Sequence, residues 1–394
     1  MRIQILTAAF GDGHNTAAHN VAAALDQVSN GAVEAPVVDA IAQGNPISAR
    51  FLQQGYQLAI TSLPGIWRLI YQQTEKFDVT KGRLEIFNGV LDELEATLSD
   101  HNPGAIVSSF PLYSGLVRRL DSKIPLFTVI TDSISVHRAW TATPSDLHFV
   151  TDARSKSVAQ SLGLSEESIV VTGFPVSLKF SNAPAQPRTQ LKRLLWITST
   201  HTRNAVKTLR SLLNTLPQDI ELTIVLGRLA NRLAGPFENV LADEHQDRVV
   251  RLHHWHNDVP GLMKSHDFLI TKAGGASTHE AFAASLPTGI NYVVPGQEEG
   301  NAQLCVERGC GIRLESSVKT GATICDLIDS GHFKELAAAA ARESINSGAI
   351  QIARTILERL KPGSPSAATL PKAPPENLRR ARELASHRPV RILS

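Results

Sequence analysis

An apolar run that stops at a glycine pair and gives way at once to a helical pattern leaves a chain few folds to choose from. It sets a buried strand, a tight turn and a helix N-terminus in one reading direction. Residues 267–271 are that run here, Gly274 and Gly275 the break, and the helical pattern begins near Ser277. Glycines let the backbone approach a ligand closely, and the unpaired amides of a first helical turn, at the positive end of the helix dipole, suit a diphosphate. Glu280 falls about one turn into the helix, where a carboxylate can accept hydrogen bonds from ribose hydroxyls. A second apolar run, 289–294, ends at Pro295 and Gly296, and the loop beyond carries Gln297, Glu298, Glu299 and Asn301, groups able to read sugar hydroxyls. Singly, the glycine pair is a common packing turn and Glu280 a solvated helix residue. Together, in this order and so close, they point to a nucleotide-sugar site.

The amino terminus repeats the arrangement. Residues 2–8 read as a first buried strand, 10–14 (FGDGH) as a turn, and 15–28 as a helix. A GxGH turn at the carboxyl end of a first strand directs His14, next to Gly13, into the crevice where doubly wound sheets bind ligands. An imidazole, with its pKa near neutrality, can take a proton from an acceptor hydroxyl there. On these residues alone, a polar first-turn histidine is an equal reading. A third group, Thr131 and Asp132 with His137 and Trp140, follows the apolar strand 125–130, again at a strand end. A capping aspartate, a surface histidine and a core tryptophan account for them singly.

The segment 271–310 resembles the C-terminal signature of the family-28-type glycosyltransferases, which include the peptidoglycan N-acetylglucosaminyltransferase and the plant and bacterial diacylglycerol glycosyltransferases. The match covers Lys272, Gly274, Gly275, Ser277 (where the family usually has threonine), Glu280, Leu286, Pro287, Asn291, Pro295 to Glu298, Gly300, Asn301 and Gly309. The spacing TD-x4-H-x2-W from Thr131 to Trp140, and the pattern Tyr56, Leu63, Pro64, Trp67 and Tyr71, resemble the diacylglycerol branch. This resemblance implies an α/β fold of two Rossmann-like domains facing across a cleft (GT-B type), a UDP-hexose donor, an inverting single displacement, and a diacylglycerol or glycolipid acceptor. It implies His14 as the base, oriented or helped by Asp132, with Gly13, Trp67, His137 and Trp140 on the acceptor side. It further implies a donor site of Lys272, Gly274, Gly275, Ser277, Glu280 on the ribose, and Gln297, Glu298 and Asn301 on the hexose. No DxD-type run sits in the donor segment, so the diphosphate falls to helix amides and Lys272; neither a tightly bound metal nor a cofactor is expected. Two departures stand out. Ser177 follows the Gly173–Val176 turn where the family commonly has arginine, with Lys179 nearby, and residues 198–202 replace a glycine-rich turn. His201 in that replacement is a site residue or an exposed turn residue.

Length and composition agree with two domains, since 394 residues exceed what one core usually sustains and 42% are hydrophobic. The strand–helix alternation divides the chain into an acceptor- and membrane-facing domain (1–178), a proline-rich linker (179–189), a donor-binding domain (190–361) and a Pro-rich then basic tail (362–394). The alanine-rich stretch 334–361 is helical by propensity, and no repeat at solenoid periods is present. Cys305, Cys310 and Cys325 lack CxxC spacing and indicate neither a zinc site nor a disulfide framework. A net charge of +2 gives no argument for nucleic acid. The short apolar run at the start is no signal peptide, and no run approaches the ~20 residues of a membrane span. Residues 45–77, however, gather aromatic and aliphatic side chains, with Arg50, Arg68, Lys76, Lys81 and Arg83 beside them, in a chain only 5% aromatic. That pattern suits an anionic membrane surface, and two ordinary amphipathic helices on the core fit the composition equally. With the resemblance, the expectation is a peripheral protein on the cytoplasmic, inner face of the cell membrane. The alternatives are a transferase acting on a polyprenyl-linked cell-wall precursor, a UDP-sugar epimerase on the same fold, or a non-catalytic UDP-sugar sensor.

Overall fold

The computed structural model describes residues 1–74, 88–180, 187–199, 202–244, 248–343 and 347–361. Outside them lie Lys76, Lys81, Arg83, His201, most of the expected linker and the basic tail. Two six-stranded, fully parallel sheets carry the fold. The first runs β2-β1-β3-β4-β5-β6, with β1 at Ile3–Leu6, β2 at Val37–Val38, β3 at Ala105–Ser108, β4 at Leu126–Val129, β5 at Leu147–Val150 and β6 at Ile169–Val171. The second runs β12-β11-β10-β7-β8-β9, from β7 at Arg193–Ile197 through β8 at Glu221–Val225, β9 at Val250–His253, β10 at Phe268–Lys272 and β11 at Thr288–Tyr292 to β12 at Gly311–Arg313. Its strands β7 to β12, counted within the sheet, follow the Rossmann order 3-2-1-4-5-6.

Parallel strands covered on both faces have no solvent side to alternate with, so they read as unbroken apolar runs. Ile3, Ile5 and Leu6 of β1, Ala105 to Val107 of β3 and Phe268 to Ile270 of β10 are all fully buried. The strand order reverses direction between β1 and β3 in the first sheet and between β7 and β10 in the second. Such switch points leave a crevice outside the carboxyl ends of the strands. The turn after β1 and the turn after β10 both sit there.

Helix α1 (Asp12–Ser29) starts earlier than the sequence suggests, so His14 lies in its first turn. Its face of Ala17, Ala18, Val21, Ala24 and Leu25 is small enough for another helix to lie close. That helix is α15 (Gly348–Arg359), whose Ala349, Ile352, Ala353 and Ile356 join the core of the first sheet. The alanine-rich stretch therefore splits. Helix α14 (His332–Arg342) packs Phe333, Leu336 and Ala337 on the second sheet, and α15 crosses back to the first. The single helical tract within an unbroken second domain at 190–361 does not describe this. Helices α3 (Pro46–Ser62) and α4 (Pro64–Thr74) form a hairpin beside the cleft. Among the described residues no helix is long and apolar enough to cross a membrane.

Candidate active site

The GDGH turn owes its shape to Gly11, which caps α1 at φ 93°, a conformation that side chains disfavour. His14 is thereby aimed across the β1/β3 switch point. Its Nδ1 lies 2.8 Å from the Ser109 carbonyl oxygen and 3.2 Å from Thr131 Oγ1. A carbonyl only accepts, so Nδ1 carries the hydrogen and Nε2 keeps its lone pair. Burial against Phe110 and Trp140 drives the imidazole pKa down to about 4, although the bond to Ser109 works the other way. The ring is neutral at pH 7.

The third group is rearranged relative to expectation. The buried Trp140 donates its indole hydrogen to Asp132 Oδ2 at 2.7 Å, and its ring packs 5.9 Å from that of His14. His137 accepts from the Ala139 amide at 3.1 Å, starting a 3-10 turn, and its ring meets Tyr71. His14 is thus oriented by Ser109 and Thr131, while an oxygen of Asp132 is held by Trp140. Trp140 is a core residue and His137 a cap.

On the facing domain, α11 (Gly275–Ala283) begins with no side chain capping its first-turn amides. Those amides remain available to an anion. The Gly274 and Gly275 turn is tight because both neighbours demand it. A Cβ on Gly274 would sit 3.2 Å from Lys272 Cε, and one on Gly275 would sit 3.0 Å from the Thr131 carbonyl oxygen of the first domain. Thr131 therefore touches both His14 and the glycine turn. Ser277 lies in the first turn of α11, partly exposed. The Glu280 carboxyl has no hydrogen-bond partner among the described residues, and burial alone pushes its pKa up to about 7.

Lys272 and Glu298, expected to face diphosphate and hexose respectively, form an ion pair with each other. Glu298 Oε2 also accepts from the Val294 amide at 3.1 Å. Burial works against the Lys272 ammonium, but the Glu298 carboxylate outweighs it and raises its pKa. Asn301 is buried too, bracing the turn through Nδ2 to the Ala273 carbonyl at 3.0 Å, with its Oδ1 lacking a partner among the described residues. Gln297 is partly open, unlike the buried Glu298 and Asn301, and Glu299 is exposed.

The two domains meet at these same residues. A Cβ on Gly300 would lie 2.2 Å from the Ser133 carbonyl oxygen. Next to it, Ile134 holds φ 62°, a strained conformation for a β-branched residue, and packs on the apolar cluster of Ala273, Phe282 and Ile290 in the second domain. His279 of α11 bonds Ser133 Oγ at 2.8 Å and stacks on Phe174 at 5.0 Å. Neither Ser109 nor His279 was singled out by sequence. Ser109 acts through its carbonyl, which no motif records, and His279 looks like any neighbour of Glu280.

Trp67 turns inward. Its ring meets Tyr56 at 5.0 Å and Tyr71 at 6.4 Å, and its indole nitrogen is buried without a partner among the described residues. The most exposed apolar side chains of the hairpin are others: Ile47 (85%), Phe51 (75%), Leu58 (53%), Ile66 (50%) and Leu69 (61%).

Residues 14–176 match the family described as monogalactosyldiacylglycerol (MGDG) synthase. The chain is 28% identical over 354 residues to the processive diacylglycerol beta-glucosyltransferase of Bacillus cereus (strain ATCC 10987 / NRS 248), covering 85% of this chain and 88% of that protein. With the enzyme of the same name from Bacillus mycoides (strain KBAB4) it shares 27% over 351 residues, at the same coverage. Among solved structures, S. aureus MnaA with UDP superposes with a TM-score of 0.62 at 17% identity, over 93% of this chain and 99% of that one. Acinetobacter baumannii MurG does so with a TM-score of 0.57 at 13% identity, over 91% and 100%. At these identities the structures establish the fold: two Rossmann-like domains across a cleft.

Proposed function

We infer that the chain belongs to the diacylglycerol glycosyltransferase branch of the family-28-type glycosyltransferases, a reading its likenesses support, and that it moves a hexose from a UDP-sugar to a diacylglycerol or glycolipid hydroxyl, with inversion, at the cytoplasmic face of the membrane. The observation that carries this reading is the position of Thr131. One residue contacts the imidazole on one side and the uncapped glycine turn of α11 on the other. A hydroxyl beside His14 Nε2 and an anomeric carbon whose diphosphate rests on the α11 amides are then neighbours.

In this mechanism the acceptor oxygen attacks the anomeric carbon from the face opposite the diphosphate. Its proton passes to His14 Nε2 as the new C–O bond forms, and the old C–O bond breaks with its electron pair leaving on UDP. A neutral imidazole with a pKa of about 4 is a modest base. The hydroxyl, however, becomes acidic only as the bond forms, so the proton leaves late. His14 is preferred over Asp132 on geometry, since Nδ1 is anchored and Nε2 is aimed, and not on basicity. Glu280, its carboxyl without a partner among the described residues, takes the ribose hydroxyls, and the α11 amides take the diphosphate with no metal assigned.

The outer face of α3–α4 supports an acceptor at a lipid surface. Apolar side chains standing clear of the protein on a helix pair beside the cleft suit the headgroup boundary, and an epimerase of soluble sugars has no use for them. Labelled UDP-glucose, UDP-galactose and UDP-glucuronate, each incubated with diacylglycerol vesicles, test the reading by thin-layer analysis. A labelled glycolipid made by the native protein and lost in His14→Ala is expected. Label released only as free sugar or as an epimerised nucleotide would refute it.

A further inference from the structure

The hairpin α3–α4 grips the donor loop as well as facing outward. Tyr56 hydroxyl donates to Gln297 Oε1 at 3.1 Å. One residue earlier, Gly296 adopts φ 81° under the ring of Tyr71, where a Cβ would come within 2.8 Å of Tyr71 Cδ1. Three residues before Pro295, the chain is tied again. Tyr292 of β11 donates its hydroxyl hydrogen to the Ile60 carbonyl, and beyond Gln297 the Arg68 guanidinium pairs with Glu299 at 3.1 Å.

Tyr56 is itself immobilised. Its ring stands edge-on to Phe10 at 6.1 Å and to Trp67 at 5.0 Å, and its hydroxyl lies 3.8 Å from where a Cβ of Gly11 would be. That hydroxyl therefore sits between the GDGH turn of one domain and the hexose loop of the other. Burial, only partly countered by Lys272, pushes the phenol up to about 12, so it remains a hydrogen donor at any working pH. A donor on Oε1 fixes which way the Gln297 amide faces. Its NH2 group is left to the cleft as a pair of hydrogen donors of set direction.

We propose that Tyr56 is a positioning residue for the donor hexose: it orients Gln297 and thereby sets which sugar hydroxyls the second domain accepts. The proposal deepens the transferase reading and rests on its placement of a UDP-hexose against the loop 295–299. Two hexoses that differ in the direction of one hydroxyl are separated by fixed hydrogen-bond partners, and poorly by partners free to turn.

Calorimetry on the full chain with UDP, UDP-glucose and UDP-galactose, for the native protein, Tyr56→Phe, Gln297→Ala and the double variant, decides it. Phenylalanine keeps the ring contacts and removes only the hydroxyl. Tyr56→Phe is expected to hold UDP within about twofold of native, to weaken the preferred UDP-hexose about 3- to 10-fold, the range of one neutral hydrogen bond, and to move the ratio of the two hexose affinities toward one. In the Gln297→Ala background the same change should have no further effect. A merely structural role would shift UDP and UDP-hexose together. Unaltered hexose affinity in Tyr56→Phe, parallel losses for UDP and UDP-hexose, or a loss that persists without Gln297, overturns the proposal. A native protein that binds no UDP overturns the donor reading beneath it.

Discussion

Glu280→Gln should make the empty protein more stable and a worse binder of donor, and the pH dependence of both effects follows from the site. The carboxyl stands on α11 with no partner among the described residues, and burial lifts its pKa from 4.5 to about 7. A folded-state pKa above the unfolded one means that the folded chain holds this proton more tightly. Stability is then lost as pH rises from the unfolded value through the folded one. Linkage gives a cost of about 1 kcal/mol at pH 5, growing to about 3 kcal/mol at pH 8. Because the side chain keeps some exposure, screening reduces this, and about 1–2 kcal/mol at pH 8 is the working figure. Glutamine never ionises, so it removes the cost. At roughly 2–4 °C per kcal/mol for domains of this size, Tm should rise by several degrees at pH 8 and by about a degree at pH 5. Affinity should move the other way. UDP-glucose keeps its diphosphate charge over this range, so in the native protein its Kd should fall by up to about tenfold between pH 6 and pH 8 as Glu280 ionises. In Glu280→Gln that dependence should vanish and binding at pH 8 should weaken about tenfold or more, the scale of a charged hydrogen bond. Differential scanning fluorimetry and calorimetry at the stated pH values read both. Equal Tm at pH 8 would mean that the carboxylate is well solvated in the cleft, and a pH-independent Kd would remove Glu280 from the donor site.

His14→Ala should lower turnover by ~10²–10⁴-fold with UDP affinity within about twofold of native, and native turnover should show no loss attributable to His14 until pH falls toward 4; a mild effect alongside a dead Asp132→Asn would transfer the base role. Serine at Ile47, Phe51, Ile66 and Leu69 together should release the protein from anionic vesicles while leaving UDP binding intact. Vesicle binding that survives this change would return the hairpin to an ordinary packing role. Gly300→Ala drives a methyl into the Ser133 carbonyl, so small-angle scattering should show a larger radius of gyration and turnover should fall at least tenfold; an unchanged profile would mean that the closed contact is dispensable.

How far the sequence could be read depended on the kind of information each feature needs. Strands β1, β3, β4, β5 and β10 were legible because a strand buried on both faces announces itself as an apolar run. The return of α15 to the first domain was not. Ile352 and Ile356 would bury equally well on either sheet, and only the geometry of the chain after α14 decides. Helix α1 began earlier than read because Gly11, at φ 93°, caps it by conformation and not by a side chain.

In the site, residue types were legible and their pairings were not. Lys272 and Glu298 lie in one motif, yet nothing in their spacing says that β10 and the loop after β11 bring them together as an ion pair. The consequence is chemical. A lysine already opposed by a carboxylate brings little net charge to a diphosphate, so on the proposed reading the uncapped amides of α11 carry most of that work. The same holds for Trp67, whose composition suggests a lipid anchor but whose ring is held between Tyr56 and Tyr71. On the proposed reading it would serve a membrane face indirectly, by fixing the helix from which Ile66 and Leu69 project. On that reading, an aromatic core beneath an apolar outer face would let one hairpin present a lipid-facing surface without loosening its hold on the donor loop. Softening that core should therefore disturb sugar binding before it disturbs attachment to vesicles.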